Sequence, residues 1–295
     1  MFAIEEINII PTFKCNLNCD YCLYSELRKT ESKTVLALDN LKKILGILKK
    51  EGNLLKRVCI FGGEILLLEK DYMFDLFKLV RSFFPTVAFG VVTNLLEVPS
   101  WFESLIKSYD VSVSTSYEGL RFSPESNLYK EWKKNLKFVR KFVSPRVNFV
   151  LTKDNDAYRK ACEVIIKEKF DYIYLVDFAI PDYFPKEKKE YLFRKYALTP
   201  EKYYKSLCNT VKYFSKFNVM ISYTFGSVNT FEVRPDASIV LTFPSDEGYP
   251  FEKEVTINYQ EEGTITFSRK RIEQIAKWLN NSSKITLGEY SECKK

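Results

Sequence analysis

Short β-prone apolar runs alternate with helix-spaced apolar stripes from Ile7 to Phe178, and that alternation constrains the fold more than any other feature. Residues 7–10 (Ile-Asn-Ile-Ile) read as a strand. Leu38, Leu41, Leu45 and Leu48 then fall at helical spacing, with Asp39 in the cap region. Residues 57–61 are a short apolar strand stopped by Gly62-Gly63, and Met73, Leu76, Phe77, Val80 and Phe84 form a helix stripe. The pattern repeats. Strands are expected at 87–92, 110–116, 147–151 and 172–178, with helices marked by Trp101, Leu105 and Ile106, by Trp132, Leu136, Val139 and Val143, and by residues 161–165. Parallel neighbours need a long return connection, so six strands separated by helices imply βαβ crossovers and a parallel sheet. The sheet is either open and doubly wound or closed toward a barrel. In both cases functional groups gather beyond the C-terminal strand ends.

Beyond about residue 182 the rhythm changes. Residues 183–205 are rich in Lys, Tyr and Phe, which places a boundary between a core of 1–182 and a smaller part of 183–295. Phe231-Glu232-Val233-Arg234, the turn Pro235-Asp236-Ala237 and residues 238–243 read as a β-hairpin. Further strands are expected at 254–259 and 264–267, and a last helix at 272–279. The expected class is therefore α/β with a smaller α+β C-terminal extension.

The chain contains no histidine. This excludes a Ser-His-Asp triad, a Cys-His pair and any His-ligated metal. A hydrophobic fraction of 46% suffices for a large core. The 16% aromatic content is first a Phe-rich core and second a groove for flat substrates. A net charge of +7 permits an acidic partner without requiring one. Residues 1–10 lack a basic segment followed by an apolar run, and no stretch approaches the length of a spanning helix, so a cytoplasmic protein with no membrane partner is expected. Seven cysteines, an odd count, argue for buried, reactive or metal-bound thiols rather than a disulfide framework.

Three of those cysteines, Cys15, Cys19 and Cys22, stand in the spacing C-x3-C-x2-C directly after the first strand. A tight loop there can aim three thiolates at one point. Soft thiolates without imidazole suit an iron–sulfur cluster or zinc. Structural zinc takes four ligands, and no fourth Cys or His lies nearby. A three-ligand 4Fe–4S cluster leaves one iron free for another molecule. Cys59 sits in a strand and Cys162 in a helix, as core thiols do.

This motif, with Tyr21 before the last cysteine and Phe61-Gly62-Gly63-Glu64 after the next strand, resembles the radical S-adenosylmethionine (SAM) superfamily over about residues 5–180. The resemblance implies a partial (β/α)6 barrel, with Cys15, Cys19 and Cys22 holding one 4Fe–4S cluster whose fourth iron is chelated by SAM. It also implies reductive SAM cleavage to a 5′-deoxyadenosyl radical, hydrogen-atom abstraction from a substrate, and an electron donor such as flavodoxin or ferredoxin. Gly62 and Gly63 allow close backbone approach to a ligand, and Glu64 becomes a candidate partner for the SAM amino group. Thr93-Asn94 takes the place of a frequent Thr-Asn-Gly. Ser114 and Ser116 share one face of strand four and become candidates for the ribose and methionyl groups. Arg121 is a candidate for the SAM carboxylate, and residues 176–180 for backbone contacts to adenine.

Within that superfamily, residues 11–19 most resemble the peptide- and protein-modifying branch. Its C-terminal extension, called SPASM or twitch, often has a Pro-Asp-Gly turn followed by Pro-Cys. Here Pro235-Asp236-Ala237 and Phe243-Pro244-Ser245 resemble it, with Ala for Gly and Ser for Cys. Cys208 and Cys293 are too few for a further cluster, so a substrate-binding cap without an auxiliary cluster is expected. The favoured substrate is a peptide or protein. The alternatives are a nucleobase or nucleotide (DNA, RNA or free), suggested by the basic and aromatic residues 186–205, a glycyl-radical activase, and a non-catalytic cluster protein. Residues 186–205 can equally form an amphipathic helix with a solvated basic face.

Overall fold

The computed structural model describes residues 4–50, 52–176, 178–217, 219–224, 230–244 and 251–257. In chain order the elements are β1 (Glu6–Ile9), α1 (Ser25–Glu31), α2 (Leu38–Lys50), β2 (Arg57–Ile60), α3 (Lys70–Phe83), β3 (Ala88–Thr93), α4 (Phe102–Tyr109) and β4 (Val111–Ser116). They continue with α5 (Asn127–Val139), β5 (Arg146–Val150), α6 (Asn155–Lys167), β6 (Tyr172–Val176), β7 (Ile180–Pro181), α7 (Lys186–Tyr196) and α8 (Pro200–Phe214). Last come β8 (Met220–Thr224), β9 (Thr230–Val233), β10 (Ile239–Pro244) and β11 (Phe251–Ile257).

One sheet runs in the order β7-β11-β10-β9-β1-β2-β3-β4-β5-β6-β8. From β1 to β6 each strand lies parallel to the next, as the alternating pattern requires. The chain then adds to both edges. β8 lies parallel to β6, and β9 lies parallel to β1 in the register Ile7↔Phe231. β9 and β10 form the expected antiparallel hairpin, which β11 extends. Ala237 takes the left-handed backbone, φ 65°, at the turn position where the resembling motif carries glycine. The strand expected at 254–259 is β11, which begins earlier, at Phe251. The strand at 264–267, the helix at 272–279 and Cys293 lie outside the described residues.

The helices form where spacing and caps agree. In α5 the Ser126 hydroxyl accepts from the Tyr129 N–H, and the buried face is Tyr129, Trp132, Leu136 and Val139. Asp154 caps α6, and Thr199 caps α8 with Pro200 as its first residue. The short helix α1 has no apolar stripe and buries only Ser25, so periodicity could not reveal it. The apolar faces of α2, α3, α5 and α6 join the strands in one continuous core. Each fully buried Leu, Ile, Val or Phe contributes about 1.5–3 kcal/mol there.

Much of the aromatic content goes into this core. Trp132 is fully buried, packs against Tyr117, Phe122, Tyr129 and Phe170, and donates from Nε1 to the Thr115 hydroxyl at 3.1 Å. Trp132→Ala opens a large cavity and leaves the Thr115 hydroxyl without this donor. The expected loss is about 3–5 kcal/mol of stability, read from the urea unfolding midpoint. A loss under about 1 kcal/mol, the range of ordinary surface changes, would show that the cluster is not a structural centre.

Candidate active site

The segment after β1 is held by the end of β2. Gly63 N–H donates to the Thr12 carbonyl at 2.8 Å, and Glu64 N–H donates to the Lys14 carbonyl at 2.7 Å. Such closeness requires the glycines. A Cβ on Gly63 would lie 2.1 Å from the Lys14 oxygen, and one on Gly62, at φ 135°, would lie 2.5 Å from Ile10 Cγ2. The sequence suggested that this pair lets backbone approach a ligand. The structure shows the pair lining a cavity and, more tightly, seating the strand that leads into Cys15.

Glu64 is fully buried and occupied by protein. Its carboxylate accepts from Thr93 Oγ1 at 2.7 Å, Asn94 N–H at 2.7 Å and Leu66 N–H at 3.1 Å. Burial raises its carboxyl above the usual range, and these hydrogen bonds only partly offset that. It is not among the residues that line the cavity, so it ties the ends of β2 and β3 together. Asn94, fixed in this way, reaches the cysteine loop. Its Nδ2 donates to Asn16 Oδ1 at 2.7 Å and lies 3.9 Å from Cys15 Sγ.

The other half of the loop is held from β4 and from α1. The Tyr21 hydroxyl donates to Glu118, and Arg121 Nε donates to the same carboxylate oxygen at 2.9 Å. Glu118 is buried, and its second oxygen, Oε2, has no hydrogen-bond partner among the described residues. Arg28 donates to the Leu17 carbonyl and to Asn18 Oδ1. Cys22 N–H donates to the Cys19 carbonyl at 3.3 Å, closing a turn between the second and third cysteines.

These elements surround a cavity of about 210 Å³ at the C-terminal ends of the strands. Cys15, Cys19 and Cys22 all line it, as do Gly62, Gly63, Thr93, Asn94, Ser116 and Arg121. Ser114, one pleat earlier on β4, is not a lining residue. Phe61, Val92, Val150, Val176 and Phe178 make the remaining wall largely apolar. Arg121 reaches the wall with its Nε already committed to Glu118. Glu118 is the main residue that sequence reasoning left without a role. Its signal was an acid just past a strand end, one helical turn's spacing before an arginine.

All three cysteines are free thiols. Burial pushes Cys15 up and Cys19 up to about 11, with Arg121 only partly offsetting the latter. Thiols so placed become thiolates when a cation replaces their protons. Among the described residues, no three His, Cys, Asp or Glu side chains are close enough to hold a single metal ion. A cuboidal cluster spreads its ligands over separate corners, so three thiols around one cavity with no fourth ligand fit a cluster better than zinc. Cys162 is buried within α6 and Cys59 lies in β2, both apart from the cavity.

The comparisons agree with this geometry. The radical SAM superfamily model matches residues 9–173, more than half of the chain. The fold is similar to that of native anSMEcpe with bound AdoMet, at 18% identity and TM-score 0.63, over 80% of this chain and 73% of that one. The same protein with bound AdoMet and the Cp18Cys peptide aligns with TM-score 0.62 at 18% identity, over 82% and 74%. Coproporphyrinogen III oxidase (HemN) from Escherichia coli aligns at 13% identity and TM-score 0.51, over 72% and 53%. No curated relative matches the chain. No helix among the described residues is long and apolar enough to cross a membrane.

Because a Gly63 side chain would collide with backbone, Gly63→Ala is expected to displace the loop carrying Cys15. After anaerobic reconstitution the variant should hold much less iron than wild type, with an unchanged far-ultraviolet circular dichroism spectrum. Full iron content in Gly63→Ala would show that the loop does not need this seat.

Proposed function

Since the chain belongs to the radical SAM superfamily, we propose that it is an enzyme holding one 4Fe–4S cluster on Cys15, Cys19 and Cys22, with SAM bound beside it, and acting on a peptide or protein. The observation that carries this reading is the convergence of three free thiols, a glycine-seated loop and an apolar-walled cavity at the strand ends. When bound, cluster and SAM supply reductive cleavage to a 5′-deoxyadenosyl radical, which takes a hydrogen atom from the substrate.

The protein's own residues position and shield. Gly62 and Gly63 seat the Cys15 strand, while Glu64 holds Thr93 and Asn94 in place beside it. Ser116 and Arg121 offer polar contacts to the charged end of SAM. The backbone beyond β6, with Val176, Phe178 and Ala179 on the wall, offers a surface for its adenine. The apolar wall keeps water from a reactive radical.

Two observations support a peptide or protein substrate. The fold is similar to that of anSMEcpe, one of whose structures holds a peptide. The β9–β10 hairpin turns at Pro235-Asp236-Ala237, the feature that resembles the extension of the peptide-modifying branch. The nucleotide reading loses much of its motive. Lys188, Tyr191, Lys195 and Tyr196 from the basic, aromatic segment are engaged by Glu26 and Asp20 of the protein itself. An acidic reductant such as flavodoxin or ferredoxin and a cap without an auxiliary cluster complete the proposal.

The test is 5′-deoxyadenosine formation from anaerobically reconstituted protein, SAM and a strong reductant, followed by mass spectrometry. Wild type is expected to form it, and the combined Cys15→Ala, Cys19→Ala, Cys22→Ala variant is not. About four irons per chain fits one 4Fe–4S cluster, whereas about eight would refute the absence of an auxiliary one. Deuterium passing from a labelled peptide into the 5′ position would identify the substrate class. If a cluster-loaded protein makes no 5′-deoxyadenosine with peptides or without them, the catalytic reading fails.

A further inference from the structure

The turn between Cys19 and Cys22 receives a set of contacts from α7, an element far beyond it in the chain. Asp20 Oδ2 accepts from the Tyr191 hydroxyl at 2.9 Å, from Lys195 Nζ at 3.0 Å and from the Tyr196 hydroxyl at 2.8 Å. Lys195 Nζ also donates to the Tyr191 hydroxyl at 2.6 Å, so the donors are linked to one another. One turn further along the loop, Lys188 Nζ donates to Ser25 Oγ and pairs with Glu26, both at 2.6 Å. Ser25 Oγ in turn donates to the Cys22 carbonyl at 2.7 Å. The Tyr183 hydroxyl donates to the Leu23 carbonyl.

Packing follows the same line. Tyr21, Phe178, Ile180, Phe184, Leu192, Tyr196 and Ala197 form a small apolar cluster separate from the main core, with Cys19 packed against it. The Tyr21 and Tyr196 rings meet edge to face at 5.7 Å. Leu192 and Tyr196 are the only described residues of α7 that are buried, and both belong to this cluster. The far end of α7 is tied down independently, since Lys153 N–H donates to the Tyr196 carbonyl at 3.0 Å.

We propose that α7 is a latch for the cysteine loop, and that Asp20 is the positioning residue through which it holds the Cys19–Cys22 turn against the cavity. The geometry explains why α7 is a helix with so small a buried face: two side chains anchor it, and its polar residues grip the loop. It also explains why an acidic residue stands between two cysteines. A carboxylate presents two oxygens at one point, enough to receive three donors from successive turns of a helix. Groups that orient a ligand-bearing loop tune how firmly the ligand is kept.

The test uses the full chain and two readouts, of which only the second rests on the cluster reading above. The first is hydrogen–deuterium exchange in the metal-free protein. Asp20→Ala, and separately Tyr191→Phe combined with Tyr196→Phe, should speed exchange at residues 19–24 while leaving β3 and β4 unchanged. The second is iron loss to a chelator after reconstitution. Asp20→Ala should lose iron on the order of tenfold faster, and Asp20→Asn, which keeps one carbonyl acceptor, should fall between it and wild type. Combining Asp20→Ala with both tyrosine changes should be no worse than Asp20→Ala alone, because the acceptor is already gone. Glu103→Gln, at the solvent-facing pair with Lys107 on α4, should alter neither readout. Wild-type exchange at residues 19–24 in Asp20→Ala would overturn the latch, and so would fully additive effects in the combined variant. A wild type that holds no iron would defeat the cluster reading instead, and exchange in the metal-free chain would still decide the latch.

Discussion

The whole site depends on two backbone hydrogen bonds, from Gly63 N–H to the Thr12 carbonyl and from Glu64 N–H to the Lys14 carbonyl. They work as an extra pair of rungs between β1 and β2, continued past the point where both strands have ended. Any side chain at Gly63 would push the two segments apart, because the obstruction is a carbonyl and not a movable side chain. Glu64 then transmits the position of this seat to the end of β3. Its two oxygens receive Thr93 Oγ1 and the Asn94 N–H, and Asn94 passes the constraint back to Asn16 in the cysteine loop. The circuit closes on itself through three strand ends. A buried carboxylate is costly unless it is hydrogen-bonded, and Glu64 offsets that cost only while the ends of β2 and β3 are in register.

Electrostatics at the cavity is governed by burial more than by nearby charge. Without histidine, the cations that lower the two thiols are arginines with partners of their own: Arg121, acting on Cys19, on Glu118, and Arg28, acting on Cys15, on the Leu17 carbonyl and Asn18. Burial outweighs what they contribute, so both Cys15 and Cys19 are raised above the usual thiol range. Among the described residues Glu118 Oε2 is buried without a hydrogen bond, a state that a low-dielectric site tolerates poorly.

The parallel sheet and the cysteine motif were legible in the sequence because each has its own periodicity or spacing. Strands such as residues 111–116 alternate Val with Ser, and helices such as α5 carry a stripe from Tyr129 to Val139. What was not legible depended on which side of a wall a residue takes. Glu64 stands next to two cavity-lining glycines, and spacing alone cannot show that its side chain turns away into the protein. Ser114 and Ser116 share a face, yet only the residue nearer the strand end reaches the cavity. The helix α1 escaped because a helix that buries one serine has no apolar pattern to detect. For α7, sequence left a basic solvated face and a nucleic-acid surface as alternatives. Neither foresaw that its cations would find Asp20 and Glu26, near the other end of the chain, since long-range pairing leaves no local trace.

The strands after Asp182 change what the barrel-like core can be. In a six-stranded parallel sheet β1 and β6 would both be edges, with unpaired backbone beside the mouth of the cavity. Here β9 covers β1 and β8 covers β6. The cover on β1 does more than satisfy hydrogen bonds. Val233 accepts from the Ile10 N–H at 2.7 Å, one residue past β1, and Glu232 accepts from the Tyr24 hydroxyl at 2.8 Å while pairing with Arg234. Tyr24 lines the cavity between Phe13 and Phe61. The loop that carries the three cysteines is therefore gripped from several elements: by β2 and β3 through glycine and Glu64, by the segment after β4 through Glu118 and Tyr21, by β9 through Tyr24, and by α7 through Asp20. The last two of those grips come from the last part of the chain. A bare core ending at Asp182 would keep its glycine seat and its Glu118 contact and lose the grips of β9 and α7, so the C-terminal segment belongs to the architecture of the site.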